Sequence, residues 1–158
     1  MTRIIAIDWS GAKTGERSKI WLAELCDGVM TRLENGRSRA EVVQHVIEEA
    51  ERDPHLVVGL DFAFSLPRWF LDERGISDVD ALWSVVARDA EEWLRRCEPP
   101  FWGRPGKPKP TLPGHLRATE KQASVAGVGA KSVFQIGGAG AVGTGSLRGM
   151  PYLAVLRQ

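Results

Sequence analysis

Hydrophobic and polar positions along the chain predict a mixed α/β fold. Short apolar runs at 3–8, 19–25, 29–33 and 56–60 are typical of strands. The dipeptide Asp27-Gly28 favours a tight hairpin between the second and third runs, so the first three strands are expected to form an antiparallel meander. No polar residue interrupts the fourth run, which predicts a strand buried on both faces.

A helix is expected between the meander and the fourth strand. Ser38 and Glu41 have the spacing of a capping box, and the apolar residues behind them repeat at helical intervals until about Asp53. A helix that leads into a fully apolar strand is typical of a crossover connection. The fourth strand should therefore lie parallel to the first.

The second half of the chain predicts helices joined by a long loop. An amphipathic helix is expected over 79–97, a shorter one from about 115 to 126, and a last one over 150–157. Prolines exclude both a helix and a central strand at 98–110, which should be an extended surface loop. All 158 residues are expected to form one domain, with a helical and proline-rich insertion at about 68–131.

Two of the apolar strands end in an aspartate, Asp8 and Asp61. If the strands are parallel, both carboxylates emerge at the sheet edge where open α/β sheets bind ligands. Two such charges repel each other unless a cation lies between them, and Mg²⁺ or Mn²⁺ accepts carboxylate, water and phosphate oxygens. The pair therefore indicates a metal-dependent phosphodiester hydrolase, with Asp8 and Asp61 as metal ligands and catalytic residues.

Six segments resemble a family of predicted RNase H-like nucleases known as domain of unknown function 429. In chain order they are IAIDWSGA (5–12), VGLDFAFS (58–65), PFWG (100–103), RATE (117–120), SVFQIGG (132–138) and VGTGSL (142–147). The resemblance implies an RNase H-like mixed sheet, metal ligation by Asp8 and Asp61, and Glu120 as a further catalytic acid. In that fold a fifth strand and a closing helix supply another acid, and both are expected to be missing here. Either the chain is C-terminally incomplete, or Glu120 takes that role.

A sheet that stops at the 56–60 strand leaves an apolar strand at its edge. We expect one of three outcomes: the 132–136 segment pairs there, a partner molecule supplies a strand, or the edge stays open. The third outcome is favoured because the fold's remaining acid would be missing as well. The isolated chain would then aggregate or bind metal weakly.

Basic residues between 103 and 131 indicate an anionic partner, since the segment has six of them and a single acid, Glu120. Arg117 and Lys121 share a helical face with Glu120. Two interpretations stay open for this face: an ion pair within the helix, or phosphate contacts beside a metal-bound Glu120. Under the second, Arg117 and Lys121 bind substrate.

Arg104 belongs to a loop in which basic and aromatic residues alternate, as they do in proteins that bind single-stranded nucleic acid. This makes Arg104 a candidate substrate-binding residue and nucleic acid a possible partner. The alternative is that Phe101 and Trp102 only anchor the loop to the body of the protein.

Two other functions are open. An actin-like or sugar-kinase-like nucleotide binder shares this sheet, and Asp8-Trp9-Ser10-Gly11 would be its first phosphate loop, with Ser10 binding substrate. A non-catalytic nucleic-acid-binding or scaffold domain would keep the fold without activity. The two cysteines have no metal spacing and no apolar run reaches the length of a membrane span, so we expect a cytoplasmic protein without a membrane partner. No sequence feature favours one oligomeric state.

Overall fold

The computed structural model describes residues 2–123, 127 and 129–157, which form an α/β fold. The strands are β1 (Arg3–Asp8), β2 (Trp21–Cys26), β3 (Val29–Asn35) and β4 (Val57–Leu60). The helices are α1 (Arg39–Arg52), α2 (Arg68–Asp72), α3 (Val79–Arg96), α4 (Ala118–Gln122) and α5 (Gly143–Leu156). The chain divides into two compact units. The first runs to Phe62 and includes the residues from Val155 onward, and the second is Ala63–Ala154.

The four strands form one mixed sheet in the order β3-β2-β1-β4. β1 pairs antiparallel with β2, β2 antiparallel with β3, and β1 parallel with β4. The expected meander and crossover are therefore confirmed. Asp27 and Gly28 have φ angles of 48° and 82°, as the type I′ hairpin turn requires. β2 starts two residues later than expected, and β3 ends two residues later.

Helix α1 packs on one face of the sheet and begins at the expected capping box. Its apolar side chains Val42, Val43 and Val46 are buried. A polar contact fixes the helix to β2, because the Nε2 atom of His45 lies 2.9 Å from a carboxylate oxygen of Glu24. Burial on this face accounts for the covered side chains of Ile5 and Ile7 at alternate positions of β1 and of Leu22 on β2.

The expectation that β4 is buried on both faces is wrong. Val57 and Gly59 are exposed, because they lie on the sheet face opposite to α1. Among the described residues, β4 pairs only with β1 and forms an edge of the sheet. The 132–136 segment does not extend the sheet either, since Gln135 forms an isolated parallel bridge with Trp102. Of the three outcomes for this edge, the first is therefore wrong.

Aromatic rings fill the core of the second unit. Phe70 packs edge-on against Trp93 and Phe101, with ring centroids 5.6 and 6.2 Å apart, and Phe134 lies 5.5 Å from Phe70. Helix α3 closes this core with an apolar face that includes Leu82, Val86 and Leu94, which are at most 1% exposed. The expected helix over 79–97 is confirmed to within one residue.

The remaining helices depart from expectation. Helix α2 was not predicted, and α4 covers only Ala118–Gln122, with residues 124–126 of the expected helix outside the described residues. Helix α5 begins at Gly143, seven residues before the expected start. Glycines disfavour helices, but a Cβ on Gly143 would lie 2.2 Å from the Val133 carbonyl oxygen. Close backbone packing therefore requires glycine at position 143, in spite of its low helix propensity.

Of the helices in the described part of the chain, none combines the length and the apolar character that crossing a membrane requires.

Candidate functional site

The Asp8 and Asp61 side chains come together at one end of the sheet. Ile7 of β1 is in register with Leu60 of β4, so the next residue on each strand is an aspartate. Because the strands are parallel, both carboxylates lie at their carboxyl ends. Both aspartates are exposed. The expected pairing of the two acids is thus confirmed.

Backbone and ring contacts hold the two strand ends at this spacing. The backbone N–H of Trp9 donates a 2.7 Å hydrogen bond to Oδ1 of Asp61. Trp9 and Phe62, the residues that follow the two aspartates, are buried, and their ring centroids are 5.1 Å apart. At the end of each of the two strands, an aspartate is therefore followed by a buried aromatic residue, and the two aromatic rings pack against each other.

The electrostatics of Asp61 reflect a crowded pair of acids. Partial burial of the carboxyl group in the otherwise exposed residue raises its pKa most, and the hydrogen bond from the Trp9 N–H lowers it. Asp8 raises the pKa further through charge repulsion and a hydrogen bond between the two carboxyl groups. A cation placed between the two groups would relieve this repulsion.

Arg39 fixes the loop that follows β1. It is the first residue of α1, and its guanidinium donates to the Ser10 carbonyl oxygen at 2.8 and 3.0 Å and also to the Ala12 carbonyl oxygen. The Ser10 hydroxyl oxygen accepts a 3.1 Å hydrogen bond from the Ala12 N–H. Ser10 therefore lies one residue beyond Trp9 in a loop of defined shape, and its role in binding substrate stays a prediction.

An open groove of about 490 Å³ runs along the uncovered sheet face and reaches both aspartates. Its floor is apolar, formed mainly by Ala6, Ala23 and Gly59. Trp21 lies at its side, directly across from Asp8 in the β1–β2 register, and is 41% exposed. A flat aromatic surface next to a pair of carboxylates can stack on a ring or a nucleobase.

Glu120 belongs to the second unit, where its carboxylate is bound by Arg117. One oxygen accepts the backbone N–H of Arg117 at 2.6 Å, and the other accepts Nε of the same residue at 2.8 Å. The ion pair within the helix, one of the two interpretations of this segment, is what the structure shows. Lys121 is exposed in the same short helix. The catalytic role of Glu120 and the substrate contacts of Arg117 and Lys121 stay predictions.

The structure shows which of the two roles Phe101 and Trp102 have in the loop that contains Arg104, stacking on a base or anchoring the loop. Phe101 and Trp102 are 4% and 8% exposed, so they anchor the loop and offer no free ring to a base. Arg104 itself is exposed. Its use in substrate binding stays a prediction that rests on charge alone.

The two carboxylates suit a hard divalent cation. Mg²⁺ is commonly bound through one or two carboxylates, with water and substrate phosphate oxygens as its other ligands. Within the described part of the chain, no group of three or more His, Cys, Asp or Glu side chains is placed to hold a metal ion. The residues therefore fit a cation that shares its coordination shell with water and substrate, and they do not fit a closed structural metal site.

Sequence reasoning missed Arg39 and Trp21. The helical pattern explains Arg39 only as a polar first residue, because its partners are backbone carbonyl groups that carry no sequence signal. Trp21 lies at the start of a strand, where a large apolar side chain suggests the core. The two-residue alternation of β2 places it on the same face as Asp8, which the register could have revealed.

Comparison of the chain with models of protein families, with curated proteins and with solved structures gave no match.

Proposed function

We propose that the protein is a metal-dependent phosphodiester hydrolase with its site at Asp8 and Asp61. The observation that carries this proposal is the convergence of two carboxylates at the carboxyl ends of adjacent parallel strands. Acids in this arrangement repel each other in the absence of a cation. The resemblance to RNase H-like nucleases supports the same reaction.

In this proposal Asp8 and Asp61 bind a divalent cation such as Mg²⁺ or Mn²⁺. When bound, such a cation lowers the pKa of a water and stabilises charge on the leaving oxygen of the phosphodiester. The chain itself supplies orientation. The Trp9 N–H holds one carboxylate oxygen of Asp61, and Arg39 holds the loop after β1 through two carbonyl groups.

The groove supports a nucleic acid as substrate. Trp21 is the exposed aromatic residue next to Asp8, and stacking of a base on an aromatic ring contributes about 1–3 kcal/mol. Asp8 and Asp61 are both negatively charged and repel a phosphate group. A phosphate can therefore approach them only when a cation lies between the phosphate and the two carboxylates. Binding of substrate and cation at this end of the groove should therefore be cooperative.

The test is a cleavage assay on labelled single-stranded and duplex oligonucleotides of RNA and DNA. We expect cleavage with Mg²⁺ or Mn²⁺, none with EDTA, and a loss of at least about 100-fold in each of Asp8→Asn and Asp61→Asn. Glu51→Gln removes an exposed charge from α1 and is the matched control. Cleavage that survives in the Asp8→Asn and Asp61→Asn double variant would disprove the assignment.

Trp21→Ala tests the groove in the same assay. We expect KM to rise about tenfold with little change in kcat, because stacking contributes to binding of substrate and transition state alike. Trp21→Phe should retain most of the affinity. Nucleic-acid binding that is indifferent to both EDTA and Trp21→Ala, without cleavage, would instead support the non-catalytic alternative.

A further inference from the structure

An exposed basic turn in the second unit is built on a rigid base. The Lys107 N–H donates to the Arg104 carbonyl oxygen at 2.9 Å, and the Gly103 N–H donates to the Lys107 carbonyl oxygen at 2.9 Å. Pro105 and Gly106 occupy the corner, and the φ of Gly106 is 72°. Proline followed by a glycine of positive φ is typical of a type II turn, so the end residues lie within about 7 Å of each other.

The base of this turn is fixed by close backbone contacts. The Trp102 N–H donates to the Phe134 carbonyl oxygen at 3.0 Å, and its carbonyl accepts the Ile136 N–H at 2.9 Å. A Cβ on Gly103 would lie 2.3 Å from the Gly137 carbonyl oxygen, so the backbones of these two loop segments are in direct contact at the two glycines. The cations are therefore presented from a fixed frame.

Three cations project from this frame: Arg104, Lys107 and Lys109, all exposed. None of the three forms an ion pair with a described residue, and the sequence has no acid from 99 to 119. Lys109 is held in place, with its ammonium 5.6 Å from the Trp102 ring centroid and 3.1 Å from Nε2 of His115. Burial and the Lys109 charge both lower the pKa of His115, which favours the neutral imidazole that can accept this hydrogen bond.

The surface around these cations suits a repeating anion better than a folded protein. An open groove of about 380 Å³ is lined by the turn and by the edge of the largely buried Trp102, and its other lining residues are cationic, proline or glycine. Protein interfaces depend on apolar or aromatic anchors, whereas Phe101 and Trp102 are buried here. A phosphodiester backbone needs only evenly spaced positive charge.

We propose that Arg104, Lys107 and Lys109 form a binding site for the phosphate backbone of single-stranded nucleic acid. Such binding is independent of sequence and needs no metal ion. It therefore does not depend on hydrolysis at Asp8 and Asp61, and it can fail or succeed separately from that proposal.

The test measures fluorescence anisotropy of a labelled oligouridylate 20-mer in EDTA at several salt concentrations. Each phosphate contact on a single strand contributes about 0.7 to the slope of log K against log salt. Replacing Arg104, Lys107 and Lys109 with Ala should lower the slope by about 2 and the affinity at 0.1 M salt by about 100-fold. The charge-conserving pair Arg104→Lys and Lys107→Arg should bind as the original chain does.

The matched control replaces Arg68, Arg88 and Arg95 with Ala, which removes the same charge from exposed positions on α2 and α3. We expect a change of less than about threefold in its affinity. An equal loss in this control would overturn the site, because net charge alone would then explain binding. Polyglutamate of the same length is tested in the same assay. If it binds as tightly as the oligonucleotide and loses affinity in the same variants, the surface binds acidic peptides and the nucleic-acid proposal is wrong.

Discussion

Substitution of Asp61 by Asn should change the stability of the protein in opposite directions with and without a divalent cation. Neighbouring strands are about 5 Å apart, and two unit charges at that distance repel by about 0.8 kcal/mol in water and about 3 kcal/mol near a protein surface. Both residues are exposed overall and the Asp61 carboxyl group is only partly buried, so solvent screens the pair, the lower end applies and the repulsion is about 1 kcal/mol. Asn retains an oxygen for the Trp9 N–H. Without cation, Asp61→Asn should therefore be more stable at pH 7.

The pH dependence has a definite sign. The pKa of Asp61 is raised in the folded protein, so the folded state binds this proton more tightly than the unfolded state. The stabilisation from protonated Asp61 is present below the unfolded pKa, near 3.8, and is lost as the pH rises through the higher folded pKa. The advantage of Asp61→Asn should therefore be present at pH 7 and absent near pH 3.

A divalent cation should reverse the order of stability. A ligand at 100 times its Kd stabilises the folded state by about 2.7 kcal/mol, and the substituted site loses this gain. In a chain of this length, 1 kcal/mol corresponds to about 2–4 °C in Tm. Thermal unfolding followed by circular dichroism, in EDTA and in Mg²⁺, measures both differences, with Glu51→Gln as the control. A lower Tm for Asp61→Asn in EDTA at pH 7 would refute the repulsion argument.

Four further substitutions test other parts of the structure. Gly103→Ala should strongly destabilise the second unit, because the added Cβ would overlap a backbone carbonyl group. At Gly106 a Cβ would meet no neighbouring atom, so Gly106→Ala should cost only about 1 kcal/mol, from the positive φ of this residue. Urea unfolding of the two variants compares these costs. The Glu41 carboxylate accepts capping hydrogen bonds and its pKa is lowered to about 2, so stability should fall as the pH drops from about 4.5 to 2, and Glu41→Gln should remove that dependence. Arg39→Met should cost about 1.5–3 kcal/mol and make the loop after β1 sensitive to limited proteolysis; an unchanged digestion pattern would show that the guanidinium does not fix the loop.

The first half of the fold follows from sequence because its local signals agree. The Asp27-Gly28 turn, the capping box at Ser38 and the strand that carries Asp61 each specify their own geometry and together specify the sheet. The sequence does not show that one face of β4 is exposed, because an edge strand with one open face has the same apolar composition as a strand buried on both faces. The acid pair could be predicted since parallel register alone brings Asp8 and Asp61 together.

The second half depends on contacts that leave little trace in the sequence. Position 143 at the start of α5 requires glycine because backbone packing there excludes a side chain, and a run of glycines does not distinguish that case from a loop. The burial of Trp102 depends on its bridge to Gln135, which lies 33 residues away. The spacing of Arg117 and Glu120 in the sequence permits an ion pair within one helix. The spacing does not show whether that arginine or a bound substrate neutralises the charge of Glu120.

The most direct test of the central proposal is to locate a divalent cation. A crystal grown with Mn²⁺ should show an anomalous difference peak between the carboxylates of Asp8 and Asp61, about 2.0–2.3 Å from an oxygen of each. The same experiment with Asp61→Asn should show a weak peak or none. If the two side chains are ordered in a crystal at pH 7 with millimolar Mn²⁺ and no peak appears between them, the proposal of a metal-dependent hydrolase is contradicted.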